Sequence, residues 1–221
     1  MHLDFKETPK KYIVNSIMCI NGGVVAGFCY SFIAILATAA TGSVAKIFQN
    51  LFLKDYSLSL CFFISVIVFM LGILLTIFIK SKFKTKKSQN IISLSIMIIC
   101  YIALIFSYPF VKDSSNLELK IYWILPIFFS SSVQYNTFGF TDGVQIATMF
   151  ATNNLRQTMI RLIEGGRNKD SEKIKTGLLY LFAIIFFIIG LCIGFGFFAY
   201  INVEILAISI ALCFLCMLLQ D

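Results

Sequence analysis

Long apolar runs alternate with short polar loops along the chain. Six apolar segments stand out, at about 13–40, 57–79, 90–110, 120–150, 177–199 and 202–219. Each is close to or above the roughly 20 apolar residues that a helix needs to cross a bilayer. The pattern predicts an all-α membrane protein with six transmembrane helices in a single transmembrane domain, residues 1–221.

The first and fourth segments differ from the other four. They are longer, contain glycine and amide residues, and lead into two similar polar corners, "AATGSVAKIFQNL" at 39–51 and "FATNNLRQTMIRLIEGG" at 150–166. Each corner has a small residue, a threonine, two small or amide residues, and then a predicted helix with a basic residue near its start. We expect the first and fourth segments to be broken or extended.

The order of one long polar segment followed by two clean apolar segments occurs twice. This order predicts two three-helix repeats, at about 12–110 and 120–219. Because three is an odd number of crossings, the second repeat is expected to be inverted, an arrangement common among secondary transporters. The sequence leaves open whether a re-entrant or an interfacial helix follows segments one and four.

The distribution of basic residues predicts the orientation. Most of the 18 lysines and arginines lie in the N-terminal segment, in "KSKFKTKK" at 80–87 and in the 151–176 loop. Six spans place these three segments on one side, and basic loops stay in the cytoplasm. We therefore expect both termini to be cytoplasmic. The same pattern attributes the net charge of +7 to membrane topology, so a nucleic-acid partner is not predicted.

Composition supports a membrane protein and argues against an enzyme. The chain is 59% hydrophobic, above the roughly 45–50% of soluble domains. It has one histidine and seven cysteines, which are scattered through apolar runs. No nucleophile–base set or metal-ligand spacing is present, so no catalytic residue, metal or other cofactor is predicted. The first span is expected to be retained and not cleaved as a signal peptide.

The two polar corners allow two interpretations. Thr41 and Thr152 are placed like helix N-caps, and a helix N-terminus carries partial positive charge that can hold an anion. Lys46 and Arg156 add full charges nearby. The corners are either substrate-binding helix termini or plain caps of interfacial helices.

The fourth segment contains a run of polar residues within apolar sequence. Polar residues recur here at spacings near three and four, which predicts a helix face shared with Gln145; they are Gln134, Asn136, Thr137 and Thr141. Asp142 is the only acid deep in a predicted span. A charge there is costly, which favours a proton, cation or substrate site over a paired structural acid beside a break at Gly143.

The first segment contains amide and glycine residues. Asn21 precedes Gly22 and Gly23, which either break the helix or pack against a neighbour. Gly23-x-x-x-Gly27 and Gly190-x-x-x-Gly194 match the pattern of closely packed membrane helices. Close packing is the favoured interpretation of both pairs.

Two stretches resemble the YoaK family, an uncharacterised family of bacterial six-span membrane proteins. "NGGVVAGFCYSFIAILATAATGSVAKI" is similar to its first glycine run and corner, and "QYNTFGFTDGVQIATMFATNNLR" to its second signature. Ser43 stands where the first corner usually has asparagine, and Asn154 and Arg156 match the second corner. The resemblance implies a six-span fold in the bacterial cytoplasmic membrane and does not identify a solute.

These observations favour a small-solute secondary transporter or channel. The solute is expected to be anionic or to bear a carboxylate, with proton or cation coupling. The alternatives are a substrate-binding membrane subunit of a larger transporter and a non-transport membrane scaffold. The expected partners are the solute or ion and the lipid bilayer, and assembly into a homo-oligomer is compatible with this class. The predicted solute-binding residues are Asn21, Thr41, Ser43, Gln134, Asn136, Asp142, Gln145, Thr152, Asn154 and Arg156.

Overall fold

The computed structural model describes residues 9–141 and 143–220, so Asp142 lies outside the described residues. The described part is mainly helical. Its α-helices are α1 (Pro9–Ile33), α2 (Ala40–Phe52), α3 (Tyr56–Lys82), α4 (Lys86–Ser107), α5 (Leu117–Trp123), α6 (Leu125–Thr137), α7 (Thr152–Asn168), α8 (Ser171–Ile201) and α9 (Leu206–Leu218). Short 3-10 turns follow α4 and α8, at Tyr108–Phe110 and Asn202–Ile205. Strands β1 (Phe140–Thr141) and β2 (Val144–Gln145) form an antiparallel hairpin.

Four stretches of the described residues are long and apolar enough to cross a membrane. They are Lys10–Ile33, Tyr56–Lys82, Lys86–Phe110 and Ser171–Leu218. The length and composition of these helices confirm the prediction of a helical, multi-pass membrane protein.

The first and fourth segments behave differently. Helix α1 continues without a break through Gly22 and Gly23. The fourth segment is broken at Ile124, beside Pro126, into α5 and α6. Helix α6 then ends at Thr137, so helix covers only part of the fourth segment at 120–150, which the sequence predicts to be broken or extended.

The two halves of the chain interlock. Helix α1 packs along α8 and α9, and α6 packs along α3 and α4. Helix α2 lies on α3, α7 lies on α8, and α4 contacts α9. Helix α1 of the first half and helix α6 of the second half are therefore each held mainly by helices of the other half.

The α1–α8 contact depends on glycines, as predicted. A Cβ atom added to Gly190 would lie 2.0 Å from the Ile20 carbonyl oxygen, and one added to Gly27 would lie 2.9 Å from Gly194 Cα. Gly23 meets Gly190 and Gly27 meets Gly194, so α1 and α8 run in the same direction. The absence of side chains lets the two backbones touch.

Helices α2 and α7 each expose an apolar stripe. Val44, Phe48 and Phe52 are exposed on α2, and Leu155, Met159 and Ile163 are exposed on α7. Residues four apart lie on one helix face. Both helices therefore present a narrow apolar face suited to lipid.

The turns that follow α2 and α7 have the same local structure. Lys54 and Lys169 adopt left-handed backbone conformations, with φ of 62° and 52°. The next residue in each turn, Asp55 or Asp170, accepts N-cap hydrogen bonds through its side chain. Its own N–H donates to the carbonyl five residues earlier at 2.9 Å in both turns. This is a left-handed C-terminal turn joined to an Asp N-cap.

An ion pair also connects α7 and α8. Lys173 Nζ lies 2.8 Å from Glu164 Oε2. The hydrogen bond and charge of Lys173 hold the pKa of Glu164 below its ordinary value. Both side chains are partly exposed, so water screens the pair and its contribution to stability is small.

Candidate functional site

A hydrogen-bonded cluster of polar side chains lies inside the bundle, between α1, α4, α6 and the loop after β2. Asn21 Nδ2 donates to Gln134 Oε1 at 2.7 Å and to the Tyr101 hydroxyl at 3.3 Å. Gln134 Nε2 donates to the Met18 carbonyl at 2.7 Å and to Thr148 Oγ1 at 3.3 Å. The four side chains are fully buried. We call Asn21, Tyr101, Gln134 and Thr148 the polar core.

One acceptor of the polar core has no partner. Asn21 Oδ1 is buried and makes no hydrogen bond within the described residues. A buried polar atom without a partner is costly in apolar surroundings. The polar core therefore has an unused acceptor for a hydrogen-bond donor.

The loop after β2 turns back into the bundle. Ile146, Ala147, Thr148 and Met149 are all buried. A Cβ atom added to Gly22 would lie 2.1 Å from the Thr148 carbonyl oxygen and 3.1 Å from Met149 Cα. Gly22 thus lets non-helical backbone pack directly against the middle of α1.

The side chain of Asn154 holds this loop. Asn154 Oδ1 accepts from the Ala147 N–H at 3.0 Å, and Nδ2 donates to the Ala147 carbonyl at 2.7 Å. Asn154 is 1% exposed. The two bonds satisfy both backbone groups of a buried residue that belongs to no helix or strand.

Helix α7 begins at the depth of the polar core. Helices α7 and α8 are antiparallel, because Gly165 contacts Ile174 and Gly177 contacts Leu162. Continuing that register along α7 places Thr152 level with about Phe187, at 1.5 Å of rise per residue. The Phe187 carbonyl in turn touches Gly23 of α1. The N-terminus of α7 therefore lies near the level of Asn21.

The structure brings only some of the predicted site residues together. Asn21 and Gln134 are in the polar core, and Asn154 holds the adjoining loop. Asn136 lies further along α6, where its side chain donates to Thr76 Oγ1.

Other predicted site residues lie away from the polar core. Thr152 and Arg156 are exposed at the start of α7, and Gln145 is exposed on β2. At the other corner, Thr41 is exposed on α2. Ser43 is buried, and its Oγ has no partner among the described residues.

Two expectations about local structure are wrong. The N-cap residues of α2 and α7 are Ala39 and Ala151, without a side-chain cap. Thr41 and Thr152 lie inside the first turns, because each helix begins before or at the threonine. Gln145 shares no helix face with Gln134, since the chain forms a hairpin with Gly143 at φ 72°.

Tyr101 and Thr148 of the polar core are not among the site residues predicted from the sequence. Tyr101 lies in the middle of an apolar span, and its hydroxyl needs a hydrogen-bond partner there. This need was the signal that could have identified it. Thr148 lay in a stretch that was assigned to a transmembrane segment. Its position against α1 depends on a chain reversal that the apolar pattern does not encode.

Comparison with known proteins gives one match. The family model described as "Protein of unknown function (DUF1275)" matches residues 14–219. No curated protein and no solved structure matches the chain.

Proposed function

The chain belongs to the DUF1275 family of unknown function, and from its geometry we propose that it is a small-solute secondary transporter or channel built from two inverted repeats. The observation that carries this proposal is the buried polar core with an unused acceptor, Asn21 Oδ1. It lies where α1 of the first half meets α6 and the buried loop of the second. Secondary transporters bind solutes between repeats, at interrupted helices near mid-membrane.

The helix packing supports the repeats. Exchanging α1 with α6, α2 with α7, α3 with α8 and α4 with α9 leaves the set of main packing partners unchanged. The matching turns at Lys54–Asp55 and Lys169–Asp170 add local support. An exchange of this kind is expected when two copies of one unit face each other across a pseudo-two-fold axis.

Helix lengths support six crossings. Ser171–Leu218 has 48 residues, which is roughly 72 Å as a straight helix and over twice a bilayer core. The chain turns at Asn202, with φ of 44°, which gives two crossings. Helices α5 and α6 together give one more. In this topology α2 lies toward the outer side of the membrane, and α7 runs from the level of the polar core toward the cytoplasmic side. Both termini face the cytoplasm of a bacterial cell.

The proposed solute is anionic or bears a carboxylate, and it also carries a hydrogen-bond donor for Asn21 Oδ1, because a carboxylate itself only accepts. The N-terminus of α7 lies at the depth of the polar core, and helix N-termini favour negative charge. Arg156 adds a full positive charge in the first turns of this helix, on its exposed side and outside the polar core. Asp142 remains the proposed proton or cation partner.

The proposal is tested by solute flux through proteoliposomes. The probes are the sodium salts of formate, acetate, lactate and succinate, with swelling followed by light scattering. We expect wild-type flux of at least one carboxylate, and a loss of about tenfold or more in Gln134→Leu. The substitution removes three side-chain hydrogen bonds, each worth about 1 kcal/mol, and their partners stay buried. Gln145→Leu is the matched control, since Gln145 is an exposed amide in the same segment.

Three outcomes would contradict the proposal. Equal flux in Gln134→Leu and wild type would remove the polar core from the pathway. Equal losses in both variants would show a general structural effect. Absence of flux together with co-purification of an ATPase would favour a binding subunit of a larger transporter.

A further inference from the structure

Two adjoining cavities open at the end of the bundle where α1 and α4 begin and α3 and α6 end. Their volumes are about 110 Å³ and 200 Å³. They share the side chains of Lys86, Asn90, Thr137 and Phe140. The two cavities therefore adjoin and share part of their walls.

Among the described residues, lysines supply all the charged side chains that line these cavities. We call this region the basic mouth, after its lysines Lys10, Lys11, Lys80, Lys86 and Lys87. No aspartate or glutamate of the described residues lines either cavity. Lys80 Nζ donates to the Asn136 carbonyl at 2.8 Å, which takes one of its three N–H donors.

Hydroxyl and amide groups form the deeper wall. Thr76 and Ser93 are each 1% exposed. Thr137 Oγ1 donates to Ser93 Oγ at 3.0 Å, and Asn136 Nδ2 donates to Thr76 Oγ1. Hydrogen bonds therefore fix a polar wall behind the lysines.

The basic mouth leads toward the polar core. Asn15 lines the smaller cavity, and its Nδ2 donates to the Phe138 carbonyl at 3.3 Å. Gln134 lies one turn deeper on α6, where its carbonyl accepts from the Phe138 N–H at 2.9 Å. One helical turn thus separates this wall from the polar core.

We propose that the basic mouth is a binding site for a small oxyanion, a carboxylate or a phosphate. Lysines that only set membrane orientation need to reach lipid headgroups and need no common cavity. Here Lys80, Lys86 and Lys87 converge on a concave region with a fixed polar wall. The inference rests on the proposed function, because it identifies the entrance through which a transported anion reaches the polar core.

The test is calorimetric titration of the purified, delipidated full chain in detergent with sodium phosphate and sodium succinate at constant ionic strength. The double variant Lys80→Gln/Lys86→Gln is expected to bind about tenfold more weakly than wild type, since each lysine supplies a charge-assisted contact. Lys46→Gln/Lys112→Gln is the control, with the same charge change at the opposite end of the bundle. Lys80→Arg/Lys86→Arg is expected to restore binding.

Two results would overturn the proposal. One is absence of binding of both anions to the wild-type chain. The other is equal affinity in the double variant and its control, which would show that only net charge matters.

The oxyanion has two sources, a free solute and the phosphate of an anionic lipid. Nanodiscs of phosphatidylcholine, with and without phosphatidylglycerol, distinguish them. Equal phosphate affinity in both supports a free solute, and about tenfold weaker binding with phosphatidylglycerol supports a lipid headgroup. Both results retain the oxyanion site and differ in its natural occupant.

The binding experiment and the flux experiment can give negative results independently of each other. Anion binding without carboxylate flux would retain the basic mouth and reject transport. Flux that persists in Lys80→Gln/Lys86→Gln without loss of rate would retain transport and reject the basic mouth as its entrance.

Discussion

Gly190→Ala is expected to destabilise the protein by about 3 kcal/mol, because an added methyl group overpacks a contact between two backbones. Its Cβ would lie 2.0 Å from the Ile20 carbonyl and 2.9 Å from Gly23 Cα. Neither atom belongs to a flexible side chain, so α1 and α8 must separate. The measurement is the free energy of unfolding in mixed micelles, followed by the fluorescence of Trp123, the one tryptophan of the chain.

Gly196→Ala is the matched control, on the same helix. A Cβ there has no atom within 4 Å. Alanine has the higher helix propensity, so this variant is expected to gain about 0.5–1 kcal/mol. Destabilisation of both variants by the same amount would contradict the close α1–α8 contact.

Asn154→Ala is expected to cost about 2–4 kcal/mol, because it leaves the N–H and carbonyl of buried Ala147 without partners. The free energy of unfolding measures the cost, and hydrogen exchange at the Ala147 amide reports the loop itself. Exchange at Ala147 should accelerate more than exchange within α8.

The neighbouring Asn153 supplies the control. It is less buried than Asn154 and belongs to the same turn of α7, so Asn153→Ala is expected to stay within about 0.5 kcal/mol of wild type. Asn154→Asp keeps the acceptor but places a second carboxylate oxygen against the Ala147 carbonyl and buries a charge, so at neutral pH it should cost at least as much as Asn154→Ala. Unchanged Ala147 exchange in Asn154→Ala would contradict the role given to this side chain.

The first corner of the chain lacks this bidentate contact. Ser43 is fully buried near the start of α2, and its hydroxyl has no partner among the described residues. A serine side chain is too short to bond both the N–H and the carbonyl of one residue. Asn154 makes both of these bonds with Ala147. The two corners are therefore alike in sequence pattern and different in how firmly their loops are held.

The helical membrane fold could be predicted because it depends on local pattern. The runs at 57–79 and 90–110 correspond to α3 and α4, whose apolar length is sufficient evidence by itself. The pairing of Gly23 and Gly27 with Gly190 and Gly194 was also predictable in kind, since small residues four apart make a flat helix surface.

The site could be predicted only in part, because it depends on tertiary contacts. Asn21 and Gln134 are 113 residues apart, and neither sequence context specifies the other. The return of residues 146–149 into the bundle replaces helix by irregular backbone, and an apolar pattern does not distinguish the two. Thr152 is not the N-cap of α7, because the Leu155 N–H donates to the carbonyl of Ala151. The N-cap is therefore Ala151, one residue before the predicted position.

In the proposed topology, the two halves cross the membrane in opposite senses and meet at the polar core. Lys54 and Lys169 occupy equivalent turns, so single cysteines at these positions test it most directly with an impermeant maleimide. The wild-type chain, with its seven native cysteines, is the blank. We expect labelling of Lys54→Cys in intact cells and of Lys169→Cys only after lysis. Labelling of both from the same side would contradict the inverted repeat.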